Sequence, residues 1–170
     1  ELRSLIVQQD VSDAFAAEPL KNSAGFAPTL VFQDRDGSNT TASGIAVRAS
    51  IASFVPASVM STFIQTNIVG SEVAVSHFGV VRFQDLKLNV AGNYTLSFQP
   101  DIHEWTAGVL PTLKAVSGHF YVSETRESLT CADNSSCILK CFNQTHLSYA
   151  GSLFPVYVLL TDSYGNRIAK

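Results

Sequence analysis

Charge is scarce in this sequence. Asp, Glu, Lys and Arg make up 15% of its 170 residues, against roughly 25% in average soluble domains. There are 11 basic and 14 acidic side chains, a formal net charge of −3, and no basic run of any kind. A nucleic-acid binder needs clustered Lys and Arg to meet phosphates, so that class is excluded. Long hydrophobic runs are also missing. The longest, Leu153 to Leu160, has eight residues, far below the ~20 of a membrane-crossing helix, and no membrane insertion is expected of this segment. There is no Gly-rich phosphate loop and no G-x-S-x-G elbow, so neither nucleotide cradling nor hydrolase chemistry has a signature here. The chain opens at Glu1 without an initiator Met or a signal peptide and reads as a mature or excised segment. What is present is an apolar fraction of 46%, ordinary for a globular chain and too high for a disordered one.

With so little charge, something else must keep the surface solvated. Four N-x-[ST] sequons supply a candidate: Asn39, Asn93, Asn134 and Asn143. With eight Asn in a Ser- and Thr-rich chain, chance would give roughly one or two. Each sequon reads either as an N-glycan site or as ordinary turn chemistry. Cysteine is absent from the first 130 residues, and then Cys131, Cys137 and Cys141 fall within eleven. Beside sequons, such a cluster reads as a disulfide staple, and all three are disulfide candidates. Three is odd, so one thiol has its partner elsewhere. A metal knuckle completed by His146 is the competing reading, but C-x5-C-x3-C fits no common zinc pattern. The expected compartment is extracellular or the cell surface, with no metal and no cofactor.

Strand signals dominate. Leu5–Val7, Thr29–Phe32, Ile45–Ser53, Phe63–Val69, Glu72–Val75, Val80–Phe83 running into Leu86–Leu88, Tyr94–Phe98 and Gly118–Val122 are rich in β-branched and aromatic residues. They alternate with period two and are punctuated by Gly, Asp, Asn and Pro. Only Asp10–Leu20 reads as a short helical turn. The pattern predicts an all-β antiparallel sandwich of about eight strands with Greek-key wiring. Val81 and Phe83 would share one face, and Tyr94, Leu96 and Phe98 would point inward together. In that position the Tyr94 hydroxyl would bond a nearby carbonyl as a corner tyrosine.

The stretch from Pro28 to Asn39 is echoed from Pro155 to Asn166: proline, an apolar strand, then Asp-x-x-Gly. The Asp supports a turn and the Gly supplies a positive φ at its close. The two Asp residues, Asp34 and Asp162, lie 128 positions apart, close to one full sandwich. The expected organisation is one complete unit over residues 1–123 and a partial second unit over 124–170, joined too tightly by Thr125–Ser128 for a flexible linker.

The blocks Leu5–Gln9, Ala17–Leu20, Leu30–Gly37, Gly79–Leu86, Gly92–Phe98 and Phe120–Ser123 together resemble the tandem Ig-like repeats of large extracellular proteins, the bacterial Ig-like, invasin or filamin-type module. The succession G-V-x-x-F-x-D-L then G-x-Y-T-L-x-F carries most of the likeness. The resemblance implies an Ig-like sandwich serving as a spacer, adhesin stalk or filament building block, with no catalytic residue to carry over. The cysteine cluster and the sequons depart from the bacterial pattern and point to a eukaryotic microbe. Flagellar mastigonemes and algal gamete adhesion proteins use comparable modules.

His77, His103, His119 and His146 have no ligand spacing, and His119 reads as a surface or edge residue. Asp101, His103 and Glu104 precede Trp105; a serine completing a triad would need an elbow that is missing. Asp34–Asn39 clusters oxygen donors as a calcium loop does, yet its glycine comes too early for an EF-hand, and a tight hairpin turn is the plainer reading. Trp105, in the loop Pro100–Pro111, is the contact-loop candidate, reading either as a partner anchor or as a core plug. The expectation is a non-enzymatic structural block of a glycoprotein filament or stalk. It would self-associate head to tail, with strands of a neighbouring copy able to cover the hydrophobic strand Phe154–Leu160. The alternative is an adhesin module that binds a protein or glycan.

Overall fold

The computed structural model describes residues 2–57, 65–101 and 113–124, and the backbone of two further strands at 138–141 and 158–161. Every regular element among the described residues is a strand. A three-stranded antiparallel sheet holds β1 (Ser4–Gln9), β3 (Thr29–Gln33) and β7 (Val80–Arg82), in the order β1-β3-β7. A larger sheet runs β2 (Ala14–Phe15), β11 (Phe120–Ser123), β9 (Gly92–Pro100), β4 (Ala46–Pro56) and β6 (Val73–Val75), with β10 (Ala115–Val116) also pairing β9. A small pair joins β5 (Ile68–Gly70) to β8 (Leu86–Leu88). Finally β12 (Ile138–Cys141) pairs antiparallel with β13 (Val158–Thr161), and with no other described strand.

The period-two pattern makes two layers around one core. Leu5, Leu30, Phe32 and Val81 from the three-stranded sheet belong to the same buried cluster as Val47, Ala49, Tyr94, Leu96, Phe98, Phe120 and Val122 from the larger one. Phe83 and Phe98 bridge the layers with ring centroids 5.2 Å apart. The expected inward set on β9 is observed: Tyr94, Leu96 and Phe98 are almost fully buried, each burial contributing about 1.5–3 kcal/mol. The Tyr94 hydroxyl donates to Val90 O at 2.7 Å, as a corner tyrosine does, and meets Thr66 Oγ1 at 3.0 Å. Burial pushes its pKa up to about 12, a rise moderated by the Thr66 hydrogen bond.

Some expectations are corrected. Asp10–Leu20 contains no helix. Ala14–Phe15 instead lies parallel to Val122–Ser123, and the Asp10 and Asp13 carboxylates accept the backbone N–H groups of Gly118 and Tyr121. Bonds to a neighbouring strand thus satisfy a segment whose local composition allowed a helical turn. Leu86 and Leu88 are buried, but they leave the path of β7 and pair with β5. The strand expected from Phe63 begins at Ile68 within the described residues.

Chain wiring carries the molecule from layer to layer. From β6 the chain turns through His77, Phe78, Gly79 and Val80 into β7, with Val80 N donating to His77 O and His77 N to Val80 O. Phe78 and Gly79 have φ of 49° and 79°, the both-positive pattern of a type I′ hairpin turn. Gly79 N donates to Ala42 O and Gly79 O accepts from Phe32 N. A Cβ there would stand 1.8 Å from Thr40 O, so only glycine fits.

Candidate functional site

On the outer face of the three-stranded sheet, side chains left over from core packing form rows across the strands. Ile6, Val31 and Val80 pair in register as an apolar row, and Gln9, Thr29 and Arg82 pair as a polar row beside it. The alternation in Val80–Gln84 explains the split: Val81 and Phe83 go inward, and Arg82 and Gln84 go outward. The bulge between Val7 and Gln9 turns Gln8 and Gln9 toward the same end of the sheet. The loop after Asn22 forms the rim. Asn22 Oδ1 accepts from Ala24 N and Phe26 N, Gly25 N donates to Asn22 O, and Asn22 N donates to Phe26 O. An asparagine-closed loop of this kind has little backbone freedom left, so Phe26 is held with 61% of its surface exposed.

Together these residues bound a half-open groove of about 400 Å3, with Gln8, Gln9, Phe26, Arg82 and Gln84 among its walls. Gln9 Oε1 accepts from Asn22 Nδ2 at 2.7 Å, tying the rim loop to β1. Among the described residues, the side chains of Gln8, Gln84 and Arg82 have no hydrogen-bond or ion-pair partner. A second groove of similar size lies across β7, with His77, Val80, Arg82 and Gln84 in its wall. Arg82 and Gln84 thus stand on a ridge facing both hollows. The arrangement offers amide donors and acceptors, one cation and one exposed ring; it holds no nucleophile–base pair.

The residues singled out from sequence are scattered over the molecule. Asn39 is exposed at the foot of the Asp34 turn, where its Oδ1 accepts from Gln33 Nε2 at 3.3 Å. Asn93 is exposed on β9, in register between Val55 and Tyr121 on the outer face of the larger sheet. Asp34 Oδ1 accepts from Asp36 N and Ser38 N, and Gly37 closes the turn with φ 79°. That carboxylate oxygen is thus occupied by backbone, as the hairpin reading expected. His77 is exposed in the turn from β6 to β7, and His119 is exposed between β10 and β11. Asp101 is bound by Arg48, whose Nη2 lies 2.7 Å from its Oδ2 and whose Nη1 pairs with Glu72. The hydrogen bond to Asp101 raises the Arg48 pKa above its ordinary value, with Glu72 adding to the effect. Cys141 is seen only as backbone, paired with Val158. Trp105, His103, Glu104, Cys131, Cys137, Asn134, Asn143 and His146 lie outside the described residues, as do Asp162–Asn166 of the second turn copy.

Among the described residues there is no group of three or more His, Cys, Asp or Glu arranged to hold a metal ion, and no helix long and apolar enough to cross a membrane. The groove itself was missed in the sequence. The available signals were an aromatic outside any strand pattern, Phe26 between Gly25 and Ala27, and an Arg and Gln at alternate positions after Val80. Comparison with protein-family models gives no match for this chain, and comparison with curated proteins gives none either.

Proposed function

We propose that the chain is a structural Ig-like building block of an extracellular glycoprotein filament or stalk, mastigoneme-like, that assembles by head-to-tail contacts. One observation carries this reading: the strand wiring with its corner tyrosine. The orders β1-β3-β7 and β11-β9-β4 correspond to strands A-B-E and G-F-C of an Ig-like sandwich, and Tyr94 stands near the start of the strand that corresponds to F. In such sandwiches that tyrosine bonds back to backbone a few residues upstream, as Tyr94 does to Val90. Exposure of Asn39 and Asn93 supports glycan attachment at those two sequons. The pairing of β12 with β13 supports the start of a second unit over 124–170, which in the head-to-tail scheme strands of a neighbouring copy would complete. The reading assigns no catalytic residue.

Electron microscopy of the native material, with intact mass before and after glycan removal, tests it. Regular fibres and added mass at one or more of Asn39, Asn93, Asn134 and Asn143 are expected. Dispersed particles of unmodified mass would overturn the proposal. The groove beside Phe26 favours a second reading, a cell-surface adhesin module whose ligand enters that hollow. A purified ligand that binds the dispersed chain and is lost on Phe26→Ala would support it over self-assembly.

A further inference from the structure

We propose that the groove beside Phe26 binds a carboxylate-bearing saccharide, with Phe26 as the stacking platform and Arg82 as the partner of the carboxylate. The inference rests on the adhesin reading and names its ligand class. Each wall contributes one part of the chemistry. Phe26 presents an exposed ring on a loop fixed by four hydrogen bonds around Asn22. A rigid aromatic offers a large contact area at low entropy cost, and the C–H-bearing face of a sugar ring packs on it. Gln8 and Gln84 each carry an acceptor and two donors not used within the described residues. Amides of this kind suit hydroxyl groups, which also donate and accept.

Arg82 decides the charge of the ligand. The other ion pairs among the described residues join Arg48 to Glu72 and Asp101, and Lys87 to Asp85. Among the described residues Arg82 forms no ion pair, and its planar fork matches a carboxylate in two parallel hydrogen bonds. A groove of about 400 Å3 is within the size range of small-ligand sites. It crosses the sheet from β1 over Thr29 to β7. A peptide added as a strand would instead run along an edge, so the direction of the groove favours a saccharide over an acidic peptide.

The full chain would be titrated with tetragalacturonate, with its fully methyl-esterified form and with a tetraglutamate peptide, followed by calorimetry and by amide shifts of Gln8, Thr29 and Gln84. Tetragalacturonate is expected to bind in the range of about 0.1–1 mM and the other two about tenfold or more weakly, because each lacks either the charge or the ring. Arg82→Gln and Phe26→Ala should each cost about tenfold, with unchanged melting temperatures since both residues are exposed. Arg48→Gln, on the opposite layer, should leave binding unchanged. Equal affinity for tetraglutamate, or full binding by Arg82→Gln, would overturn the proposal. Binding of the methyl ester as tightly as the acid would overturn the acidic ligand and leave the adhesin reading standing. If none of the three probes binds at millimolar concentration and the groove amides become protected when fibres form, both fall.

Discussion

The two outer faces of the molecule treat their arginines in opposite ways. On the larger sheet, Arg48 stands between Glu72 and Asp101 and its guanidinium is engaged on both sides. Around it the outward positions mix small polar residues, Ser50, Ser53, Thr95, Ser97 and the sequon residue Asn93, with exposed Val55, Val75 and Tyr121. On the three-stranded sheet, Arg82 stands over a groove with unengaged amides and an exposed phenylalanine, and no described acid meets it. Both arginines occupy the polar positions of an alternating strand, so strand patterning does not separate them. What separates them is the neighbouring strand: β6 brings Glu72 beside β4, whereas β3 brings only Thr29 beside Arg82. An exposed cation costs little to leave unpaired, and it remains available to something outside the chain.

This contrast requires the two layers to be held together, and the strongest way to break it is at the turn that joins them. Gly79→Ala should destabilise the fold by about 3 kcal/mol or more, because a Cβ 1.8 Å from Thr40 O is added to a backbone with φ 79°. Chemical denaturation should show a large fall in midpoint, with loss of both faces in one transition. Removing the Tyr94 hydroxyl is next in size. Tyr94→Phe leaves Val90 O without its donor and should cost about 1–3 kcal/mol. The same phenol gives an alkaline signature. Its folded pKa of about 12 lies above the ordinary value of 10.0, so the unfolded chain releases this proton first as pH rises. Its contribution is therefore complete below pH 10 and lost as pH rises towards 12, on the order of 2 kcal/mol in all. Denaturation between pH 9 and 12 should be steeper in the wild type than in Tyr94→Phe. Equal slopes would mean that the buried hydroxyl does not govern this range.

A smaller effect of opposite sign is expected one residue before Gly79. Phe78 is a bulky residue with φ 49°, 67% exposed, beside His77 with ring centroids 4.6 Å apart. A type I′ turn prefers Asn-Gly, so Phe78→Asn should stabilise the protein by about 1 kcal/mol, read as a raised melting temperature. A neutral or negative result would mean that the His77 contact compensates the backbone cost.

These positions also mark how far the sequence alone could be read. Tyr94, Leu96 and Phe98 announced both their strand and their inward face, because burial of one face is written as strict alternation. The Asp34 turn was equally legible, since Asp and Gly act on backbone only a few residues away. Ala14–Phe15 was not legible: its pairing with Val122–Ser123 lies more than 100 positions along the chain, and nothing local specifies it. The groove was hidden for the same reason. Its walls come from three separate segments, around Gln8, Phe26 and Arg82, brought together only by the registers of β1, β3 and β7. Asn39 and Asn93 were found by motif, but their exposed positions depended on the fold.

The contrast between the arginines is sharpened by salt. Arg48→Gln removes a surface pairing with Glu72 and Asp101, an attraction that mobile ions screen. Its melting temperature should fall slightly below that of the wild type at low ionic strength, and the gap should close near 1 M salt. Arg82→Gln removes a cation without a described partner, so its melting temperature should match the wild type at both ionic strengths. A salt-dependent loss in Arg82→Gln would place an acid beside that residue. The groove would then carry no free charge, and the difference between the two faces would disappear.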